Sequence, residues 1–204
     1  MDWRERYERA AARYAGGETR EPDERQLVQL ANAAWAAGLS LLMAGDREGA
    51  REWLVRSAER YRESWDVGGV ADAWGRPIGA LKALLIAGEP PPCNNLLLAA
   101  RWALDAGAAT AESPIGRYAG VLALLVLGRD EAALALAKEL GSPFPPAVAA
   151  ALTALANRDA DAFAAAVGAI RRDFESREDF LEDIPAPDTA LALEALATKR
   201  RLQA

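Results

Sequence analysis

Histidine is absent from the 204-residue chain, cysteine occurs once, at position 93, and there are only two methionines and three lysines. Without imidazole the chain cannot by itself build a Ser-His-Asp or Cys-His hydrolase, a His-ligated zinc site or a histidine phosphorelay. A lone Cys93 excludes an internal disulfide and a thiolate zinc site, and it reads as a small buried hydrophobe. Long apolar runs are also lacking: the longest, residues 119–127, is far below the roughly 20 residues that span a bilayer. The start, Met1-Asp2-Trp3-Arg4-Glu5-Arg6, is charged where a secretory signal would carry its apolar core, so the sequence predicts a cytoplasmic protein without membrane contact. Positive charge is in short supply as well. A net charge of −6 and a pI near 4.9 offer no basic face for phosphate neutralisation, which argues against nucleic acid as a partner.

What is present is helix former. About a quarter of the residues are alanine, accompanied by much leucine, glutamate and arginine, the residues of strongest intrinsic helix propensity. The composition predicts an all-α fold. Apolar residues fall three and four apart along residues 2–15 (Trp3, Tyr7, Ala10, Ala11, Tyr14), 27–42 and 50–65, with Gly16-Gly17 and Gly45 as stops and Asp46 as a cap. Asp66 to Ala73, with Gly68-Gly69, reads as a linker before a helix with Pro77 in its first turn, stopped by Gly88-Glu89-Pro90-Pro91-Pro92. Further helices begin at Asn94 or Asn95, at the cap pair Ser113-Pro114, and after the breaks at Gly128, at 141–146 and at Asn157. A last helix starts near Asp188, with Lys199, Arg200 and Arg201 at the negative end of its dipole. The count comes to about nine or ten helices in one all-helical domain, 1–204, with sub-blocks 1–66, 67–112 and 113–204.

An internal repeat is visible in the turns. Gly38 to Ala50 aligns with Gly120 to Ala132, each a small residue, a glycine turn and a second small residue twelve positions on. From turn to alanine the step is five in Gly45 to Ala50 and in Asn157 to Ala162, and four in Gly128 to Ala132. In this the chain resembles the tetratricopeptide class of helical repeats. Gly38, Leu41, Ala50, Leu54 and Ser57 follow that pattern's order of small and large residues; Gly120, Ala132 and Leu136 follow it again, with Ala150 and Ala162 as a poorer third copy. The usual aromatic positions are mostly leucine and the closing proline is missing. The resemblance implies stacked antiparallel hairpins, a solenoid with an interhelical groove; an irregular helical bundle would use the same small residues for close approach. The stretch from Asp183-Ile184-Pro185-Ala186-Pro187-Asp188 into Leu191 to Ala197 is similar to all-helical immunity proteins of bacterial polymorphic toxin systems. That similarity implies an acidic protein that neutralises a toxin by binding it, and it carries over no functional residue.

Two clusters stand out as candidate sites. The first is the stretch holding Trp65, Asp66, Asp72, Trp74 and Arg76, in a connection rich in glycine. An aromatic wall and an arginine near a helix N-terminus suit a carboxylate or phosphate, although the same residues can equally fill core gaps, with Arg76 bonded to Asp66 or Asp72. The second is acidic: Glu178 with Glu182 and Asp179 with Asp183 are four apart and would share a helix face, to hold a hard cation or simply to be solvated. Lys82 lies inside an apolar helix, where its stem either snorkels or its amine becomes nucleophilic. No nucleotide, hydrolase or redox motif is present, and no cofactor or metal is called for.

The sequence therefore predicts a non-enzymatic binding protein that takes another protein or a peptide in a groove between helices, with Trp65, Trp74 and Arg76 as exposed anchors. An enzyme or small-ligand receptor is the alternative, and it requires the central loop and the C-terminal carboxylates to converge. A homo-oligomeric assembly subunit, such as a homodimer, is the third reading.

Overall fold

The structure is a computed structural model and describes residues 2–18, 20–68, 72–88 and 94–202. Cys93, Gly69 and the stop residues Glu89, Pro90, Pro91 and Pro92 lie outside them. The fold is all-α: among the described residues there are ten α-helices and two short 3-10 turns, and no strand. The chain divides into two compact units, Met1–Glu89 with Glu178–Asp188, and Pro90–Arg177 with Thr189–Ala204. The division falls inside the block 67–112 marked out from sequence, and an eleven-residue strap, Glu178–Asp188, belongs to the first unit although it follows most of the second.

The first unit contains α1 (Trp3–Gly17), α2 (Glu24–Met43), α3 (Arg47–Gly68) and α4 (Gly75–Ala87), each packed on its neighbour in sequence. Asp2 caps α1 by accepting from the Arg4 and Glu5 N–H groups. Asp23 and Gln26 form a reciprocal capping box on α2, satisfying two backbone donors that the first turn leaves without helical partners. Helix α2 is the spine, buried from Leu27 to Leu41 nearly all round. Small residues set the spacing. A Cβ at Gly38 would lie 2.7 Å from Leu54 Cγ and 3.2 Å from the Ala50 carbonyl oxygen, and one at Gly79 would lie 2.6 Å from the Tyr61 ring. Buried Ser57 donates to the Ala31 carbonyl at 2.9 Å, tying α3 to α2.

The second unit contains α5 (Asn94–Asp105), α6 (Pro114–Val126), α7 (Asp130–Ala137), α8 (Pro146–Asn157), α9 (Ala160–Glu175) and, from Thr189, α10 (Asp188–Lys199). Ser113 caps α6 ahead of Pro114, as the sequence predicts. Gly120 lets α6 approach the Ala108 carbonyl and Leu136, each 2.9 Å from where its Cβ would be. The Gly38–Leu54 and Gly120–Leu136 contacts thus recur at the same separation along the chain. Arg200 does not serve the end of its own helix: its guanidinium donates to the Leu125 carbonyl at 2.6 Å and to Asp130 at 2.5 Å, closing the α6–α7 turn.

Three of the turns share one geometry. Gly45, Gly128 and Arg158 adopt left-handed backbone, and the next residue's N–H reaches back to the carbonyl of Leu41, Leu124 or Ala154, each at 2.9 Å, which is the Schellman bond. The first inward residue of the following helix comes five positions after the left-handed residue, at Ala50, Ala133 and Phe163. This corrects the sequence alignment by one residue in two copies: Ala132 and Ala162 are exposed, and the step from Gly128 is five like the others.

Candidate functional site

A cleft of about 390 Å³ opens between α1 and α3, within the size range of ligand sites. Helical periodicity builds it. Tyr7, Ala11 and Tyr14 recur on one face of α1, and Trp53, Arg56, Arg60 and Glu63 recur on one face of α3. The Trp53 indole meets both tyrosines edge to face, its centroid 6.1 Å from Tyr7 and 5.3 Å from Tyr14, and it packs on a buried cluster of Tyr14, Leu30, Ala33 and Ala34. These contacts fix the aromatic floor.

The arginines above it differ in what they have left to give. Arg60 donates to the Tyr14 hydroxyl at 2.9 Å, to Glu63 at 2.7 Å and to Glu18 at 3.3 Å. Burial pulls its pKa down, but the hydrogen bonds to Glu63 and Tyr14 outweigh this and hold it above the ordinary value. Arg56 is exposed and stacks over Trp53, its guanidinium carbon 4.6 Å from the ring centroid and 5.5 Å from that of Tyr14. No carboxylate of a described residue pairs with it. A guanidinium over an aromatic ring and without a carboxylate partner retains N–H donors for a carboxylate ligand. Glu59, exposed one turn on, presents the opposite charge beside it.

The first cluster singled out from sequence is brought together, but it faces inward. Trp65 and Asp66 belong to the last turn of α3 and not to a loop. Trp65 is half-buried with its ring 6.2 Å from that of Trp74, which is buried and donates its indole N–H to Asp72 at 3.1 Å. Arg76 is 8% exposed and is spent on the Ser64 carbonyl at 3.0 Å and on the Glu24 carboxylate. Burial lowers its pKa. Asp66 and Asp72, the partners expected for Arg76, are engaged elsewhere: Asp66 pairs with Arg62 at 2.9 Å. The exposure expected of Trp74 and Arg76 is therefore not found: Trp74 packs beside Trp65, and Arg76 reaches Glu24 at the start of α2.

The acidic cluster is not helical. Residues 177–180 are irregular and Leu181–Asp183 is a single 3-10 turn, so the two pairs four residues apart share no helix face. Glu182 pairs with Arg13 at 2.9 Å, and Arg6 donates to the Asp183 carbonyl. Among the described residues no three His, Cys, Asp or Glu side chains are grouped to hold a metal ion. Lys82 is nearly buried and pairs with Asp188 at the end of the strap. Beside them Tyr61 donates to Asn32 at 2.6 Å; its burial, with the negative charges of Asp188 and Glu182, pushes its pKa well above the ordinary tyrosine value.

Comparison with known proteins returns no matching family model, no matching curated protein and no matching solved structure. No helix of the described residues is long and apolar enough to cross a membrane. The residues of the α1–α3 cleft were missed in the sequence reading because Trp53, Tyr7 and Tyr14 fit an ordinary packing face. The signal was the spacing Trp53, Arg56, Arg60, which sets two arginines on the aromatic face of α3, where a wholly buried helix face would carry none.

Proposed function

We propose that the chain is a binding module that takes a segment of another protein in the cleft between α1 and α3 and performs no chemistry of its own. The observation that carries this reading is Arg56, which lies over the Trp53 ring and pairs with no carboxylate of a described residue. Tryptophan, tyrosine and arginine dominate interface energetics, and here they converge on one opening with Glu59 as a polar rim. The recurrent helical turns support a tetratricopeptide-like arrangement, and cytoplasmic toxin neutralisation is one role that such a module fits. The rival enzymatic reading needs convergence of carboxylates, whereas Asp66, Asp72 and Glu182 are each held by a different partner, Arg62, Trp74 and Arg13.

The test is affinity capture from native lysate with the wild-type chain and with Trp53→Ala combined with Arg56→Ala. A protein retained stoichiometrically by the wild type and lost by the variant, with the far-ultraviolet circular dichroism unchanged, is the expected result. Equal capture by both overturns the assignment of the cleft; a co-purifying small molecule with no protein overturns the reading itself.

A further inference from the structure

The negative charge of the chain is concentrated. Glu178–Asp188 contains Glu178, Asp179, Glu182, Asp183 and Asp188 and no lysine or arginine, so five of the six net charges reside in this strap. It lies in the first unit, where α1 carries Arg6, Arg9 and Arg13 at steps of three and four, on a different face from Tyr7 and Tyr14. Arg6 holds the Asp183 carbonyl and Arg13 the Glu182 carboxylate. Arg9 is exposed, with no ion pair to another described residue. These arginines, with Glu182, Asp183 and Ile184, line a cleft of about 310 Å³.

The two halves of the strap are held differently. From Ile184 onward it is fastened: Ile184 and Ala186 are buried, and Asp188 pairs with Lys82. Residues 178–183 are mostly exposed, Leu181 by 56%, and are closed by a single 3-10 turn. Glu182 and Asp183 both take left-handed backbone, φ 55° and 57°, a conformation that two successive residues with side chains adopt only when their surroundings impose it. Here the surroundings are arginine side chains gripping a carbonyl and a carboxylate, groups that any acidic peptide offers.

We infer that the Arg6, Arg9 and Arg13 face of α1 is a docking surface for an acidic segment of a partner protein, and that residues 178–183 are its resident occupant, displaced by that segment while Ile184 and Ala186 stay anchored. The occupant is a peptide and not a free anion, because one of the two groups gripped is a backbone carbonyl. The surface is distinct from the α1–α3 cleft and stands or falls independently of it.

The probe is a fluorescent six-residue peptide with the sequence of residues 178–183, beside an analogue with every Glu and Asp replaced by Gln and Asn. Both are titrated by anisotropy into the full chain and into a variant carrying Glu178→Gln, Asp179→Asn, Glu182→Gln and Asp183→Asn. The acidic peptide binds the neutralised variant roughly tenfold or more tightly than the wild type. Adding Arg9→Ser and Arg13→Ser, or about 0.5 M salt, removes the binding. Equal affinity for variant and wild type, or equal binding of the uncharged analogue, overturns the proposal. Should the neutralised variant not fold, amide hydrogen exchange of the wild type decides: saturating acidic peptide raises exchange at 180–183 but not at 186–190, and an unchanged pattern overturns the proposal.

Discussion

Gly38 on α2 lies against Leu54 on α3 with no room for a side-chain carbon between them. An alanine at 38 forces the leucine or the whole of α3 outward, and overpacking of this kind costs about 1–3 kcal/mol. That exceeds the roughly 0.5–1 kcal/mol gained when a helical glycine is replaced. Gly38→Ala therefore lowers the melting temperature. Gly16→Ala, at a helical position with nothing within 4 Å, raises it. Thermal unfolding of the two variants side by side checks both signs.

Arg76 is a folding residue. Its guanidinium spans the Ser64 carbonyl and Glu24, joining the end of α3 and the start of α2 to α4. Arg76→Ala costs about 2–4 kcal/mol by leaving that carbonyl and carboxylate without their donor. Arg76→Lys does not restore it, since an ammonium lacks the planar fork that reaches both acceptors. Urea titration of the three proteins measures the loss.

The Tyr61 hydroxyl donates to Asn32, and Tyr61→Phe costs about 1 kcal/mol at neutral pH. Its raised pKa adds a pH signature. The unfolded chain releases the phenol proton at its ordinary value near 10, before the folded chain does, so the stabilisation is fully present below pH 10 and is lost as pH rises toward the folded value. Wild-type stability falls more steeply than that of Tyr61→Phe above pH 10. Melting curves across that range, with phenolate absorbance as the second probe, test it; parallel curves contradict it.

Arg158 fills the left-handed position that glycine fills in the two sister turns. Arg158→Gly relieves a backbone cost of about 1–2 kcal/mol, partly offset by glycine's greater freedom in the unfolded chain, for a net gain of about 0.5–1 kcal/mol. The exposed ion pair it gives up, to Asp130 at 3.5 Å, contributes little. A higher denaturation midpoint with unchanged slope is the expected outcome.

Local chemistry was legible in the sequence and long-range partnership was not. The Ser113-Pro114 start, the Asp46 cap and the Gly45 and Gly128 turns are written within four or five residues, and the all-α fold follows from them. The turn register slipped at Ala132 because alignment followed small residues, whereas the left-handed residue sets the count; at Arg158 the side chain hides that conformation. Arg76 was misplaced for another reason. Its acceptor Glu24 is 52 residues away, and Arg6 meets Asp183 across 177. No periodicity encodes such pairings.

The late return of the strap to the first unit has a consequence for synthesis. When Glu89 leaves the ribosome, α1 to α4 can assemble, yet the segment that meets Arg6, Arg13 and Lys82 has still to be translated. At about 5–20 residues per second this interval lasts roughly 5–20 seconds. For that time Arg6 and Arg13 lack the Asp183 carbonyl and the Glu182 carboxylate that they hold in the folded unit, and the basic face of α1 has only solvent and its own helix to satisfy it.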